Sequence, residues 1–217
     1  MLRRIIFTAA LSGLLGGLLL SAIQTVRIYP IIHEAETYET AASPGKTHEP
    51  VETAYGGMVR VALSAIANVV AAIGFALLLT AAISLHGGAN FRRGLLWGIG
   101  GYAAFSLAPA LGLPPEIPGT YAAPVPARQI WWVMTVALTA GGLALAAFAR
   151  DWKWKALGAV LITLPHLIGA PRPANPGGLA PEALGHQFAL AALAASGIFW
   201  LALGGLSGYF FTRLEEV

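Results

Sequence analysis

The chain lacks cysteine, and its long apolar segments lack aspartate and glutamate. Without cysteine there is no disulfide and no thiolate ligand, so a metal site would have to use histidine, carboxylate, amide, methionine, backbone or water ligands. The missing carboxylates argue against a self-sufficient proton-driven pump, because such pumps usually hold an ionisable relay inside their spans. A glycine-rich phosphate-binding loop followed by a Lys-Ser/Thr pair is also missing, which excludes ATP hydrolysis by that route.

Charged residues make up only 11% of the 217 residues, whereas 57% are hydrophobic. Soluble domains carry roughly 25% charged residues, so this composition indicates an integral membrane protein with the lipid bilayer as its surroundings. The length accommodates about six spans of roughly 20 residues each. We therefore predict an all-α bundle of six transmembrane helices, in which residues 1–217 form a single polytopic membrane domain. No polybasic tract interleaved with aromatic residues occurs, so nucleic acid is not expected as a partner.

Six apolar segments are the predicted spans, and prolines mark the ends of two of them. Pro109 and Pro165 should kink or end their helices, because proline lacks the backbone donor. The first segment also resembles a secretory signal peptide, with cleavage near Ser21-Ala22 as the alternative to a retained helix. Its length favours a retained helix. The six segments are residues 5–26, 58–85, 94–111, 128–149, 156–168 and 186–211.

Residues 27–57 form the one long polar segment, which is rich in acidic side chains and is predicted to be an outer loop. His33 and Glu36 have helical spacing there, and together with His48 they are candidates for capturing divalent cations at the surface. An ordinary solvated loop is the alternative. In the second span, Asn68 is either hydrogen-bonding glue between helices or part of a cation path.

The distribution of charge between the loops predicts the orientation. With an internal amino terminus and six spans, the inner loops collect eight of the 13 Lys and Arg residues and three of the ten Asp and Glu residues. The outer loops hold the other five basic and seven acidic residues and four of the five histidines. Because cytoplasmic loops carry an excess of basic residues, we expect both termini to be cytoplasmic. The expected location is the inner (cell) membrane.

A proline-rich link between the fifth and sixth spans carries the main candidate ligands. His166 precedes the link, and Glu182 and His186 follow it with a spacing of four residues. If a helix has begun by Pro181, these last two side chains share one face and can hold a cation between them. Glu116 is the acid of the neighbouring outer link. Imidazole suits cobalt, nickel and zinc, whereas the alternative is that histidines at a membrane interface simply tolerate both water and lipid.

Four segments carry a resemblance to a known family. In chain order they are Leu113-Pro114-Pro115-Glu116 with Pro118-Gly119, Ala127-Arg128-Gln129-Ile130-Trp131-Trp132, Pro165-His166-Leu167-Ile168-Gly169-Ala170-Pro171 and His186-Gln187-Phe188-Ala189. Together they resemble the CbtA-type cobalt transporter subunits, and the resemblance covers nearly the whole chain. It implies a membrane protein of five or six spans, linked with cobalamin metabolism, that takes up cobalt together with a small, single-span, His-bearing subunit of the CbtB type.

We therefore expect inward transport of a divalent transition metal. Cobalt(II) is the expected cation and nickel(II) the alternative, because the two ions prefer similar ligands. No cofactor is expected, and a homo-oligomer is left open. Two other classes remain as alternatives: a non-transporting membrane scaffold or accessory subunit, and a membrane enzyme acting on lipid or isoprenoid. The enzyme class is disfavoured because the scattered Ser, Thr and His residues do not assemble into a nucleophile with its base.

Overall fold

The computed structural model describes residues 1–42 and 54–214, and this part of the chain is helical with short links. We number seven helices in it. Helix α4 continues through a π-helical turn, Ala103–Leu107, into a last short segment, Ala108–Ala110. The bounds are Leu2–Arg27 for α1, Tyr29–Ala42 for α2, Ala54–His86 for α3, Phe91–Tyr102 for the regular part of α4, Val125–Phe148 for α5, Trp152–Ile168 for α6 and Glu182–Arg213 for α7.

Four of the helices are long and apolar enough to cross a membrane. They comprise α1, residues Gly57–His86 of α3, α5 and α7. The other two predicted spans also form helices, but α4 is interrupted by its π-helical turn and α6 has only 17 residues. The structure therefore confirms an all-helical fold with four candidate membrane-spanning helices. Each predicted span coincides with a helix to within a few residues at either end.

The prediction of one long loop over residues 27–57 was wrong, because helix α2 occupies residues 29–42. Helix α2 is acidic but also has a short apolar stripe. Ile31 and Ala35, one helical turn apart, are buried and pack with Ile117 of the link after α4 and Leu184 of α7. This contact holds α2 against that link and α7.

Glycines let α1 and α3 approach closely. A Cβ atom on Gly13 would lie 2.5 Å from Ile73 Cα, and one on Gly17 would lie 2.5 Å from Val69 Cα. The backbones therefore touch along a Gly-xxx-Gly face. Without a hydrophobic driving force between helices in lipid, such van der Waals contact is a main source of association.

Two further helix pairs use the same device. A Cβ atom on Gly204 of α7 would lie 2.7 Å from Gly98 Cα of α4. One on Gly142 of α5 would lie 2.5 Å from the Gly158 carbonyl oxygen of α6. The described bundle is thus built largely from three close-packed pairs, with α7 also packing against α1 and α3.

The ends of the bundle are distinct. At one end, Arg4 Nε donates to the Phe211 carbonyl oxygen at 2.6 Å, and Thr212 Oγ1 donates to the Ala89 carbonyl oxygen at 3.1 Å. Both ends of the described chain therefore meet there, beside the link between α3 and α4. We call the opposite end, which carries α2 and the links 111–124 and 169–181, the outer end.

Candidate metal-uptake site

Two proline-rich links pair with each other and build a cavity at the outer end. The Tyr121 amide donates to the Gly177 carbonyl oxygen at 2.9 Å, and the Leu179 amide donates to the Gly119 carbonyl oxygen at 3.1 Å. Gly119 has a φ of +78°, a conformation that a residue with a Cβ atom adopts at a cost. Between these links and the start of α7 lies an outer cavity of about 520 Å³.

Three of the four predicted metal ligands line this outer cavity: Glu116, Glu182 and His186. They come from two different segments, since Glu116 belongs to the link after α4 and the other two to the first turns of α7. Buried Ile117, next to Glu116, holds that link against α2 and α7. The fold therefore brings together residues that lie about 70 positions apart in the sequence.

The Glu182–His186 pair has the geometry expected from its spacing. Pro181 directly precedes α7, so the helix has begun at Glu182 and the two side chains share one face. Glu182 Oε1 lies 3.3 Å from His186 Nε2, and the side chains are 91% and 74% exposed. With metal–ligand distances of about 2.1 Å, two adjacent ligands lie roughly 3.0 to 3.4 Å apart. The two side chains contact each other directly, and the same spacing is the one that two adjacent ligands of a cation would need. We call this solvent-facing pair the clamp.

Glu116 is held by an ion pair. Arg128 Nη2, in the first turn of α5, lies 2.8 Å from Glu116 Oε2, and both side chains are about two-thirds buried. In the described residues no three His, Asp or Glu side chains are close enough to hold one metal ion together. The arrangement is thus a cavity lined by separate ligands.

His166 lies away from these ligands. It is near the end of α6, where its ring contacts Trp131 edge to face at a centroid distance of 6.1 Å. His166 does not line the outer cavity. Its predicted role as a ligand would therefore require a separate position at the outer end.

The predicted surface-capture residues are only partly described. His33 Nδ1 lies 3.3 Å from Glu36 Oε2, but Arg60 of α3 also binds Glu36, with Nη2 2.7 Å from Oε1. The Arg60 hydrogen bond is the largest cause of a pKa of Glu36 below its usual value, and His33 adds to the effect. This carboxylate is therefore engaged in fastening α2 to α3. His48 lies outside the described residues.

Asn68 makes the interhelical hydrogen bonds expected of a polar residue that joins two helices. Its Nδ2 donates to Ser21 Oγ at 3.0 Å and to Gln24 Oε1 at 2.7 Å, joining α3 to α1. A role for Asn68 in a cation path stays a prediction.

A second cavity of about 800 Å³, which we call the inner groove, lies between α4, α5 and α7 and also reaches Glu116. Its walls include Ser106 of the π-helical turn and Ser196 of α7, whose Oγ atoms lie 2.7 Å apart. Trp200 Nε1 donates to Ser106 Oγ at 3.2 Å. Sequence reasoning missed these serines, because no spacing rule connects residues 90 positions apart. Only Pro109 signals an irregular helix there.

The fold and the outer cavity define a class of protein: a helical membrane protein with carboxylate and imidazole side chains gathered at one end. A family model described as "Probable cobalt transporter subunit (CbtA)" matches residues 2–212. The chain belongs to this family, as its motifs predicted, and the family is one of transporter subunits and not of enzymes. No match to the chain was found among curated proteins or among solved structures.

Proposed function

We propose that this chain is the membrane subunit of an uptake system for a divalent transition metal, and that the outer cavity receives the cation. The transported ion is cobalt(II), with nickel(II) as the closest competitor. In this proposal Glu116, Glu182 and His186 supply the ligands at the outer cavity, and the metal is cargo and not a resident cofactor. The observation that carries the proposal is the common lining of one cavity by these three side chains.

The ligand chemistry supports a borderline transition metal. One imidazole and two carboxylates suit cobalt, nickel or zinc better than an all-oxygen set, which would favour magnesium or calcium. The Glu182–His186 clamp is exposed, so a cation bound to it can exchange these two ligands for water quickly. Weak and reversible binding is what an uptake site needs, since the cation must also leave.

The proposed topology has six passes, with both termini in the cytoplasm of a cell whose inner membrane holds the protein. The chain reverses direction between successive predicted spans, and the amino-terminal Arg4 meets Phe211 near the carboxyl terminus. By the sequence count, eight of the 13 basic residues belong to that end and seven of the ten acidic residues to the outer end. This distribution agrees with the positive-inside rule. On this proposal α4 and α6 cross the membrane as well, and residues 1–217 form one membrane domain.

The proposal includes a partner. The family description is that of a subunit. In the described membrane-spanning helices the only carboxylate is Glu182, at the first position of α7, so no carboxylate relay runs through them. A small, single-span, His-bearing subunit of the CbtB type would supply further ligands. A homo-oligomer is a second arrangement that the same experiment can detect through co-purification of tagged copies.

Uptake of labelled cobalt into cells tests this proposal, with the chain expressed with and without the small partner. The variant Glu182→Gln/His186→Ala should lower uptake at limiting cobalt by about tenfold or more, because loss of the clamp removes at least about 1.4 kcal/mol of binding. Glu34→Gln is the matched control. It removes one exposed carboxylate from α2 at the same end of the bundle and should leave uptake unchanged.

The outcomes separate the classes of function. Uptake that depends on the clamp and not on Glu34 supports the transporter with its outer cavity. Uptake that is equal in the wild type and the clamp variant would remove these residues from the mechanism. No uptake by protein shown to be in the membrane, with the partner present, would favour a scaffold or accessory subunit. His166→Ala, measured alongside, tests whether α6 contributes a ligand of its own.

A further inference from the structure

Glu116 stands on the wall between the two cavities. The outer cavity and the inner groove share three lining residues, Pro114, Pro115 and Glu116, and of these only Glu116 is ionisable. The two prolines restrict the backbone beside it, and buried Ile117 anchors the link from the other side. A cation that passes from one cavity to the other would therefore meet this carboxylate at a fixed place.

Arg128 contacts Glu116 from the side of the inner groove. It lines the inner groove and not the outer cavity, and its Nη2 atom lies 2.8 Å from Glu116 Oε2. The guanidinium neutralises the carboxylate and repels an approaching cation. In this arrangement the clamp at Glu182 and His186 faces solvent, while the third ligand of the same cavity is occupied by a positive charge of the protein itself.

We infer that Arg128 is a gate: it competes with the transported cation for Glu116 and closes the way from the outer cavity to the inner groove until the cation displaces it. This inference rests on the proposed function and adds a regulating residue to the same site. Even an exposed ion pair can be worth about fivefold in an equilibrium constant, and this pair is largely buried. Removal of Arg128 should therefore strengthen cation binding by about fivefold or more.

Calorimetric titration of the purified full chain with Co²⁺ tests the gate. Arg128→Gln should bind Co²⁺ about fivefold more tightly than the wild type, because Glu116 is released. The same change made together with Glu116→Gln should give no gain over Glu116→Gln alone. Arg172→Gln is the charge-matched control, since it removes an exposed arginine from the outer link 169–181, and it should leave the affinity unchanged.

The absence of cysteine from the chain allows a second test within one folded preparation. Arg128→Cys is labelled either with an aminoethyl methanethiosulfonate, which restores a positive charge, or with the uncharged methyl reagent. Both labels remove the thiolate as a ligand. The methyl-labelled protein should bind Co²⁺ about fivefold more tightly than the aminoethyl-labelled protein. A merely structural role for Arg128 would not make binding follow the charge of the label.

Equal affinities of the two labelled proteins would overturn the gate. So would a gain in Arg172→Gln as large as that in Arg128→Gln, because the effect would then be one of net charge. If wild type bound Co²⁺ through Glu182 and His186 while Arg128→Gln bound no better, the proposed function would stand and the gate would fall. Absence of Co²⁺ binding by wild type and all variants would overturn both.

Discussion

The contact between α4 and α7 gives the sharpest prediction about the fold, because the backbones of the two helices approach each other directly. Gly204→Ala places a Cβ atom 2.7 Å from Gly98 Cα and closer still to the Gly94 carbonyl oxygen. Both contacts are with backbone, so no side chain can rotate away. The helices must separate locally or tilt to admit the methyl group.

The size of the effect follows from two opposing contributions. Ordinary contact of a Cβ atom needs about 3.4 Å or more, so the Gly98 contact requires the backbones to part by roughly 0.7 Å and the closer Gly94 contact requires more. Overpacking of this kind costs about 1 to 3 kcal/mol. Replacing glycine by alanine inside a helix returns up to about 1 kcal/mol of propensity. Gly197→Ala, on the same helix, gains the same propensity but places its Cβ atom 3.6 Å from the Tyr102 ring, which is ordinary contact. The difference between the two variants isolates the overpacking cost.

The measurement is unfolding of the purified full chain by SDS titration in mixed micelles, followed by tryptophan fluorescence. Gly204→Ala should be less stable than Gly197→Ala by about 1 to 3 kcal/mol, with Gly197→Ala at or above the wild type. Trp200, one of six tryptophans, lies in the same interface and contributes to the change in emission. Equal stability of the two variants would refute the close approach of α4 and α7.

Two other predictions concern the attachment of helices to one another. Because the pKa of Glu36 is lowered in the folded state, its pairing with Arg60 stabilises α2 fully above the unfolded pKa of about 4.3, and this contribution is lost as pH falls through the lower folded value. Hydrogen-exchange protection of α2 in the wild type should therefore be higher at neutral pH than at a pH below the folded pKa of Glu36. In Glu36→Gln the protection should be low at both of these pH values. Equal protection of the wild-type α2 at neutral and acidic pH would contradict the pairing. Asn68→Leu should destabilise the bundle by about 1 kcal/mol, since two interhelical hydrogen bonds, to Ser21 and Gln24, are lost at about 0.6 kcal/mol each. The same SDS titration measures this, and a variant as stable as the wild type would contradict it.

The apolar runs predicted the helices well because hydrophobicity and length alone decide which segments can be buried in lipid. Helix α2 was missed because it is short and polar and so has neither the length nor the hydrophobicity of a span. Its three glutamates and one histidine make it polar, and only Ile31 and Ala35 are buried. Their partners Ile117 and Leu184 lie far away in the sequence. Two apolar residues one turn apart do not predict a buried helix face unless the residues that cover them are known.

In the candidate site, too, local contacts could be predicted from the sequence and long-range contacts could not. The shared face of Glu182 and His186 could be predicted because the two residues lie one helical turn apart, and the structure shows their side chains 3.3 Å apart. Their role as metal ligands stays a prediction. Local spacing could not predict that Glu116 joins them while His166 packs against Trp131. That depends on how the two proline-rich links pair, which is a long-range contact. The family motifs placed these residues in the right segments but did not order them around one cavity.

The most direct test of the central claim is the X-ray absorption spectrum of cobalt bound to the full chain. The account predicts nitrogen and oxygen ligands with imidazole scattering, and it predicts that this scattering disappears in His186→Ala and is kept in Glu182→Gln. An imidazole signal unchanged by His186→Ala, from protein that still binds cobalt, would place the metal elsewhere and contradict the claim that the outer cavity receives it.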